Sequence, residues 1–430
     1  MKPILQVALD FIDLDRALNA AAEAAAGGAD WLEAGTPLIK SEGLEAVRRL
    51  RAAFPDKTVV ADLKTMDAGR VEVEAAAKAG ANVALVLGVA DDGTVRECVE
   101  TGRKFGVQIG ADLIGAADPV ARAAELETLG VDFAVVHTGI DRQMQGATPF
   151  DLLKRIADGT RLKLAAAGGL NSETVADAVR AGAAIAIVGG AITKSSDAAK
   201  ATRIIRYAAD TGVAVASTLY RRATAQNIRE ILEKVSTANI SDGAHRRPCA
   251  EGIRPVVPGV KAVGTAVTVR ANPGDWSKPV QAIDAAKPGQ VIVVDCGGRG
   301  PAVWGELATH SAVVKGIAGV VVDGAIRDTR DIRELNFPAF SRLVLSNAGD
   351  AKGSGEIGVP VTIGGVLVEP GDWIVGDDDG VMVLPKARAV EMANYAMDCL
   401  EAENRIRGEI RSGKTTLGKV AHLLRWEKKG

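Results

Sequence analysis

Three charged side chains in the segment VVADLKTMDAG, residues 59–69, have the types and spacing that acid–base chemistry needs. Side chains alternate between the two faces of a β-strand, so Asp62 and Lys64 share one face of an apolar run, and Asp67 follows it. A fixed ammonium beside carboxylates can stabilise negative charge that develops on a substrate. An isolated pair of this type could equally be a surface ion pair, so the surrounding elements must decide between the two interpretations.

The N-terminal half of the chain has the periodicity of a barrel. From residue 4 to about residue 208, eight short β-rich runs alternate with alanine-rich segments of helical spacing, beginning with ILQVALD (4–10) and ending with AAIAIVGG (183–190). This alternation predicts an α/β fold, an N-terminal (β/α)8 TIM barrel. An open doubly wound sheet is the alternative, although it usually contains fewer strands.

A ring of polar side chains ends five of these eight runs. The active sites of (β/α)8 barrels lie at the C-terminal ends of their strands. The ring consists of Asp10, Glu33, Asp62 with Lys64, Asp112 and His137. Its carboxylates form an anionic pocket that a hard divalent cation with a preference for oxygen ligands would neutralise. We therefore predict a Mg²⁺ (or Mn²⁺) site with Glu33 and Asp62 as ligands.

Two glycine pairs follow the last two runs, each before a predicted helix. They are Gly168 with Gly169, and Gly189 with Gly190. Glycine lets the backbone approach a ligand closely, and a helix N-terminus offers free N–H groups to an anion. One such pair alone is more often a tight turn, but two pairs in these two loops favour a phosphate-binding site.

The C-terminal half has a different rhythm. Strands with Pro-Gly turns follow one another without helices between residues 360 and 384, and a long helix is predicted from about residue 386 to 411. This pattern predicts a layered α+β domain rather than a second barrel. We place the barrel at residues 1–210, a linker at 211–226 and the C-terminal domain at 227–430.

A second group of polar residues lies in this C-terminal half. The apolar run GVVVDG delivers Arg327 and Asp328 to a loop, and Glu306 stands 21 positions earlier, at the start of a probable helix. The group could be a helix-capping carboxylate beside a solvated arginine, or it could be a second site. His245 and His310 have no partners at ligand spacing, and we expect them to be structural.

The composition excludes several classes of partner. The chain has 430 residues, enough for two domains, and its net charge of −2 creates no field that would attract nucleic acid or an anionic membrane. Its four scattered cysteines argue against a zinc site or a disulfide framework and are typical of a reducing cytosol. No uncharged stretch is long enough to suggest a membrane span. We expect a cytoplasmic enzyme acting on small molecules.

The motifs LQVALD, WLEAGTP, ADLKTMDAG, VHTGID, AAGGL and IVGG carry a resemblance over residues 1–208. In this order they resemble the 3-hexulose-6-phosphate synthases of the orotidine-5′-phosphate decarboxylase superfamily. The resemblance implies a Mg²⁺-dependent aldol addition of formaldehyde to D-ribulose 5-phosphate. The related 3-keto-L-gulonate-6-phosphate decarboxylases share the DxKxxD run but typically carry an arginine near Asp141, so this aspartate favours the synthase. A decarboxylase-like barrel is the alternative.

The resemblance also assigns roles. The metal on Glu33 and Asp62 would hold the ketone oxygen and a neighbouring hydroxyl, and Lys64 would supply a fixed positive charge. His137 would be the general base at C1, since imidazole titrates near neutral pH. Asp10 would hold sugar hydroxyls.

Three further acidic residues complete the predicted barrel site. Asp112 and Asp141 are expected to bind substrate. Together with Asp62, Asp67 is expected to keep Lys64 protonated. In this superfamily the residue equivalent to Asp67 reaches the neighbouring subunit's site, which implies a dimer.

The motifs GGRGPAVWGELA, GVVVDGAIRD and PGDWIVGDDDGVMVLP, within residues 225–400, resemble the RraA-like family. This family includes 4-hydroxy-4-methyl-2-oxoglutarate aldolase. The resemblance implies that Asp328 ligates Mg²⁺, that Arg327 binds a 2-oxo-acid, and that Glu306 replaces the usual aspartate at the substrate. Other members inhibit a ribonuclease and bind protein instead, so a non-catalytic oligomerisation module is the alternative.

The two resemblances together predict the assembly. Barrels of the first family pair about a two-fold axis, and RraA-like domains typically form trimers. A chain with both interfaces can close into a homo-hexamer of D3 symmetry.

Overall fold

The computed structural model describes residues 2–217, 222–413 and 415–421, which form two compact units. The first unit contains the described residues up to 143, those of 147–217 and those from 401 onward; the second contains 144–146 and 222–400. The segment from 401 onward therefore groups with the first unit, whereas the sequence-based boundaries assign it to the C-terminal domain. Residues 218–221 of the predicted linker lie outside the described part of the chain, and the predicted domain limits stay a proposal.

The first unit is the predicted barrel, closed by eight parallel strands in sequence order. The strands are β1 (Ile4–Leu9), β2 (Trp31–Ala34), β3 (Thr58–Thr65), β4 (Val83–Leu87), β5 (Gln108–Asp112), β6 (Phe133–His137), β7 (Lys163–Ala167) and β8 (Ala183–Val188). Strand β1 pairs with both β2 and β8, which closes the sheet. The predicted TIM barrel is confirmed.

Eleven helices connect or follow these strands. They are α1 (Leu14–Ala26), α2 (Thr36–Glu42), α3 (Glu45–Ala53), α4 (Gly69–Ala79), α5 (Asp92–Phe105), α6 (Pro119–Leu129), α7 (Ile140–Met144), α8 (Phe150–Ala157), α9 (Val175–Arg180), α10 (Gly190–Thr193) and α11 (Ala198–Thr211). Helix α1 shows why the alanine-rich segments are helical. Asp13 caps its first turn, and its buried alanines let it pack closely on the barrel.

Side chains of alternate strand residues fill the barrel interior. Phe133 is buried in this layer, and its ring occupies space that Gly110 leaves open, because a Cβ at Gly110 would lie 2.4 Å from Phe133 Cζ. Burying such a ring contributes about 1.5–3 kcal/mol to stability. Along each strand, the inward-facing position that follows this apolar layer lies at the carboxyl end of the strand. The polar side chains predicted to ring the barrel mouth occupy these positions.

The second unit is a mixed sheet with helices. Its strands are β9 (Arg254–Pro255), β10 (Ala262–Arg270), β11 (Val291–Trp304), β12 (Gly319–Ile326), β13 (Ala339–Val344), β14 (Glu356–Ile357), β15 (Val361–Ile363), β16 (Val366–Val368), β17 (Trp373–Asp377) and β18 (Gly380–Leu384). Its helices are α12 (Ile228–Lys234), α13 (Thr237–Gly243), α14 (Ser277–Ala285), α15 (Glu306–Val314) and α16 (Thr329–Glu334). Helix α17 (Ala389–Arg411) begins in this unit, and its part from residue 401 groups with the first unit, as does α18 (Leu417–Val420).

The predicted layered α+β domain is confirmed by the sheet order β18-β17-β10-β11-β12-β13-β9. Strands β10 to β13 are parallel, whereas β17 and β18 are antiparallel. Strand β12 is buried along its whole length, which explains the continuous apolar run GVVVDGAI. Among the described residues, no helix is both long and apolar enough to cross a membrane.

Candidate active site

Lys64 lies at the end of β3, between two carboxylates. Its Nζ lies 2.8 Å from Asp112 Oδ2 and 3.2 Å from a carboxylate oxygen of Asp62. The backbone of Lys64 has φ +48°, a left-handed conformation that non-glycine residues seldom adopt. The pairing of β3 with β4 is also irregular between Ala61 and Thr65. Such irregularities re-aim side chains beside functional sites, and here Asp62 and Lys64 both reach the barrel mouth.

Asp112 is the centre of the hydrogen-bonded group. It is buried, and its Oδ2 lies 2.9 Å from His137 Nδ1, while its Oδ1 accepts a hydrogen bond from the backbone N–H of Ile114. Burial alone would raise the pKa of Asp112, but His137 and Lys64 together lower it to about 2. Because the ionised carboxylate can only accept, Nδ1 of His137 is the donor of this hydrogen bond.

Lys64 is correspondingly held in its charged form. Burial alone would lower the pKa of its ammonium, but the carboxylates of Asp62 and Asp112 raise it above its ordinary value. The sequence predicted Asp67 as the second partner of Lys64. In the structure, the second partner within the same chain is Asp112. Asp67 is exposed, and its Oδ1 accepts a hydrogen bond from the N–H of Ala68. The predicted contribution of Asp67 to a neighbouring subunit stays a prediction.

Asp10, Glu33 and Asp62 form an acidic group beside Lys64. Burial, followed by the charges of Asp62 and Asp10, raises the pKa of Glu33 well above its ordinary value, although the amide of Gln6 donates to Glu33 Oε2 at 2.5 Å. Asp10 is open to the barrel mouth, yet desolvation by the surrounding protein and the charge of Asp62 raise its pKa as well. These carboxylates repel one another, and the Lys64 ammonium directly contacts Asp62 among them.

Two polar residues of this site were missed in the sequence analysis. Thr36 donates its hydroxyl to Asp62 Oδ2 at 2.6 Å, and Gln6, which holds Glu33, is completely buried. The signals were present: Thr36 stands just after β2, and Gln6 shares the inner face of β1 with Asp10. The Oε1 atom of Gln6 has no hydrogen-bond partner among the described residues.

The two glycine pairs lie where the sequence placed them. Gly168 has φ +107°, and a Cβ there would lie 2.4 Å from the carbonyl oxygen of Thr138, so glycine is required. Gly169 also has a left-handed backbone, and a turn capped by Asn171 separates this pair from α9. A Cβ at Gly189 would lie 3.5 Å from Asp10 Oδ2, and Gly190 begins α10. The second pair therefore borders the acidic group.

Asp141 lies in the first turn of α7, after β6, and is exposed. It therefore stands on the loop side of the barrel, as the position of VHTGID predicts. The contact of Asp141 with substrate stays a prediction.

The second unit brings its three predicted residues together. Asp328 has a left-handed backbone of φ +56°, and its Oδ2 accepts a hydrogen bond from the N–H of Glu306 at 3.1 Å. Arg327 Nε lies 3.4 Å from the same oxygen. Gly305 permits this approach, because a Cβ there would lie 2.4 Å from Asp328 Oδ2. Asp328 thus caps the first turn of α15, where a negative charge is favourable.

A cavity of about 260 Å³ opens beside this group. Glu306, Arg327 and Asp328 line it together with the apolar side chains of Trp276 and Leu307. The cavity therefore combines one arginine, two carboxylates and an apolar wall.

His310 lies beside Glu306 on α15. Its Nε2 lies 3.4 Å from Glu306 Oε1, one helical turn away along α15, and its side chain is about half exposed. The spacing of four residues was the available signal, since residues four apart on a helix share one face.

The oxygen-donor side chains of the two sites can be compared with the predicted Mg²⁺ ligands. Among the described residues there is no group of three or more His, Cys, Asp or Glu side chains arranged to hold an ion. Mg²⁺ commonly binds through one or two carboxylates and keeps several waters. Glu33 and Asp62, whose charges repel each other, are two such carboxylates in the barrel.

A closed parallel barrel with an ammonium, a carboxylate and an imidazole at the carboxyl ends of its strands defines a TIM-barrel enzyme site. Residues 3–205 match the family described as orotidine 5′-phosphate decarboxylase / HUMPS family, and residues 237–383 match the RraA-like family, described as Aldolase/RraA. The chain belongs to the first of these families through its barrel, and it continues into an RraA-like domain. It is a lyase fused to an RraA-like domain.

Two relatives and one solved structure are similar to parts of the chain. The chain is 44% identical over 199 residues to the 3-hexulose-6-phosphate synthase of Methylomonas aminofaciens, a match that covers 95% of that protein and 46% of this chain. It is 39% identical over 204 residues to the synthase of Mycobacterium gastri, covering 98% of that protein and 47% of this chain. The solved structure of the RNA-processing inhibitor RraA from Thermus thermophilis is 30% identical, with a TM-score of 0.33, over 93% of that chain and 35% of this one.

Proposed function

We propose that the barrel catalyses the aldol addition of formaldehyde to D-ribulose 5-phosphate, giving D-arabino-hex-3-ulose 6-phosphate, or the reverse cleavage. The proposal is supported by the names of the relatives that match the barrel over nearly their whole length. The single observation that carries it is the group in which Asp112 binds both Lys64 and His137. This group provides a base and a fixed positive charge on one rigid carboxylate.

Each residue of the barrel site has a proposed role in the reaction. His137 removes a proton from C1 of the sugar phosphate through Nε2, because Asp112 holds its Nδ1–H. The negative charge that develops on the substrate oxygens is stabilised by the Lys64 ammonium, which Asp62 and Asp112 fix in place. C1 then forms a bond to the formaldehyde carbon, whose oxygen takes up a proton. Asp10 lies where it can accept hydrogen bonds from sugar hydroxyls.

Glu33 and Asp62 are the residues that would hold Mg²⁺ or Mn²⁺. When bound, the ion would act as a Lewis acid that stabilises charge on substrate oxygens. The raised pKa of Glu33 and the crowding of the carboxylates support this assignment. We expect EDTA to abolish the activity and Mg²⁺ to restore it. Addition of Mg²⁺ should also raise the melting temperature of the metal-free protein, and Glu33→Gln should reduce that rise.

Lys64→Ala is the sharpest test of the barrel reaction. Alanine adds no backbone strain at this left-handed position, and the substitution removes the ammonium that pairs with Asp62 and Asp112. We expect hexulose-phosphate formation from formaldehyde and ribulose 5-phosphate to disappear while the melting curve stays cooperative. Retention of a tenth of the native turnover would remove Lys64 from the mechanism.

The alternative for the barrel is decarboxylation of 3-keto-L-gulonate 6-phosphate. The same preparation should be assayed with that substrate. A turnover above that of the aldol reaction would replace the synthase proposal with the decarboxylase one.

We also propose a second, metal-dependent lyase site in the C-terminal domain, acting on a 2-oxo-acid. The supporting observation is the cavity in which Arg327 can bind a carboxylate, with Asp328 as the residue that would hold Mg²⁺. Glu306, held at the rim by its N–H bond to Asp328, faces the same cavity. Decarboxylation of oxaloacetate is a convenient assay for this class. Absence of any 2-oxo-acid activity would favour the alternative, a non-catalytic oligomerisation or ribonuclease-regulating module.

A further inference from the structure

The end of α17 is fixed on the barrel unit by a buried arginine. Arg405 is 6% exposed, and its two terminal nitrogens lie 2.8 and 3.2 Å from the carboxylate oxygens of Glu23 on α1. The same guanidinium donates to the carbonyl oxygen of Ser195 at 2.9 Å. Bidentate arginine–carboxylate pairs are strong and directional, so this helical turn has a defined place beside the loop that follows β8.

A second ion pair secures the same turn. Glu409 accepts from Arg405 Nε at 2.9 Å through one oxygen, and its other oxygen lies 3.1 Å from Arg16 Nε, also on α1. Two independent contacts to one barrel helix therefore hold residues 405–409 and set the direction of the side chains between and beyond them.

A cavity of about 360 Å³ lies between this turn and the loop after β8. Three cationic side chains line it, from Lys194, Arg407 and Arg411, and Glu401 is the acidic residue that lines it with them. The Arg407 guanidinium donates to Asn404 Oδ1 at 2.5 Å and lies 3.6 Å from Glu403, and about half of its side chain is exposed. The cavity is thus positively charged overall, and arginine forks match the oxygens of a phosphoryl group.

The cavity borders the barrel site. Gly190 lines it, and the preceding residue, Gly189, packs against the carboxylate of Asp10. The charge of Lys194 is close enough to Asp10 to lower its pKa, against the larger effects of burial and Asp62. An anion in this cavity would therefore lie next to the loop whose glycines were predicted to bind phosphate.

We propose that Arg407 and Arg411 bind the phosphoryl group of the sugar phosphate, so that the C-terminal helix completes the barrel's substrate site. The inference rests on the proposed function, because it takes ribulose 5-phosphate as the ligand. The matched part of the two synthase relatives is the barrel alone, which covers 95% and 98% of those proteins. The two arginines belong to the segment that follows the RraA-like domain and groups with the barrel unit.

The test is the double variant Arg407→Gln/Arg411→Gln in the full chain. The matched control is Arg48→Gln/Arg388→Gln, which removes two exposed arginines that pair with Glu45 and Glu391 on other helical faces. Loss of charge-assisted hydrogen bonds to a phosphoryl group should raise KM for ribulose 5-phosphate about 10- to 100-fold. The kcat should stay within about twofold and the melting temperature should not change, because neither arginine contacts the reacting atoms or the Arg405 anchor.

Inorganic phosphate separates the possible outcomes. It should inhibit the native chain competitively, and its inhibition constant should rise in parallel with KM in the double variant. An unchanged KM would overturn the proposal, and loss of phosphate binding with unchanged KM would mean a separate anion site and would overturn it too. Calorimetric titration with phosphate measures the affinity of the cavity for this anion in the double variant and in its control. The measurement does not require synthase activity. Failure of the proposed reaction is thereby distinguished from failure of the cavity assignment.

Discussion

His137 Nδ1 lies 2.9 Å from Asp112 Oδ2, the same oxygen that lies 2.8 Å from Lys64 Nζ. One buried carboxylate therefore orients both the imidazole and the ammonium. In the proposed reaction, the imidazole would donate through Nδ1 to Asp112 and take up the substrate proton through Nε2. The geometry joins the His137 side chain of β6 and the Lys64 side chain of β3 through Asp112 of β5.

His137→Asn should lower the rate of hexulose-phosphate formation by a factor of about 10²–10⁴, the contribution of a general base. Asparagine keeps a polar group near Asp112 but cannot take up the proton. Steady-state kinetics with saturating formaldehyde measures the effect. His310→Asn, a change in the second unit, serves as the control and should leave this rate unaltered. A loss below tenfold would transfer the base role to another residue, with Asp62 the next candidate.

Asp112 should make stability depend on acid pH. Its pKa in the folded chain, about 2, lies below the ordinary value of 3.8, so the unfolded chain binds more protons in this window. Stability is therefore fully present above about pH 4 and is lost as the pH falls towards 2, by about 2 kcal/mol. Denaturant unfolding of Asp112→Asn should differ most from the native chain at pH 6 and converge with it near pH 2. The exposed change Asp284→Asn should show no such convergence, and a difference independent of pH would contradict the assignment.

Much of the barrel site could be predicted from the sequence, because strand periodicity is local. Alternation placed Asp62 and Lys64 on one face, and strand ends placed Asp10 and His137 at one rim. The contact of Lys64 with Asp112 could not be predicted, because Asp112 lies 48 positions away and only the barrel's register brings it near. The return of Arg405 to Glu23, which is 382 positions distant, had no local signal at all.

In the second unit, too, the sequence predicted the positions of polar residues better than their contacts. Arg327 and Asp328 were predictable from the end of an apolar strand, as was Glu306 at a helix start. The contact of His310 with Glu306 follows from helical spacing, because residues four apart on a helix share one face.

Asp328→Asn should remove only the 2-oxo-acid activity. The change deletes the charge that would hold Mg²⁺, while the remaining amide oxygen can still accept from the N–H of Glu306. Both reactions should be assayed in the same preparation, with hexulose-phosphate formation as the internal control. Equal impairment of the two reactions would show that the sites are not independent.

The full chain should form particles of about six copies in light scattering. Asp67 is exposed on β3's loop beside the apolar side chains of Met66 and Val71, which are 53% and 62% exposed, as a two-fold contact would require. Leu307 and Val314 on α15 are 77% and 88% exposed and offer a surface for the three-fold contact. Val71→Glu should then leave trimers and Val314→Glu should leave dimers. A monodisperse monomer of the native chain would contradict the assembly and the role given to Asp67.

Carbon NMR can follow the proposed addition of formaldehyde to a pentulose phosphate by the barrel. The full chain should be incubated with ¹³C-formaldehyde, ribulose 5-phosphate and Mg²⁺, with the Lys64→Ala chain in parallel. We expect a labelled hydroxymethyl carbon, C1 of hex-3-ulose 6-phosphate, that grows with the native chain and is absent with the variant. Persistence of free labelled formaldehyde with the native, metal-loaded chain, or an equal product signal from Lys64→Ala, would contradict the proposed aldol addition.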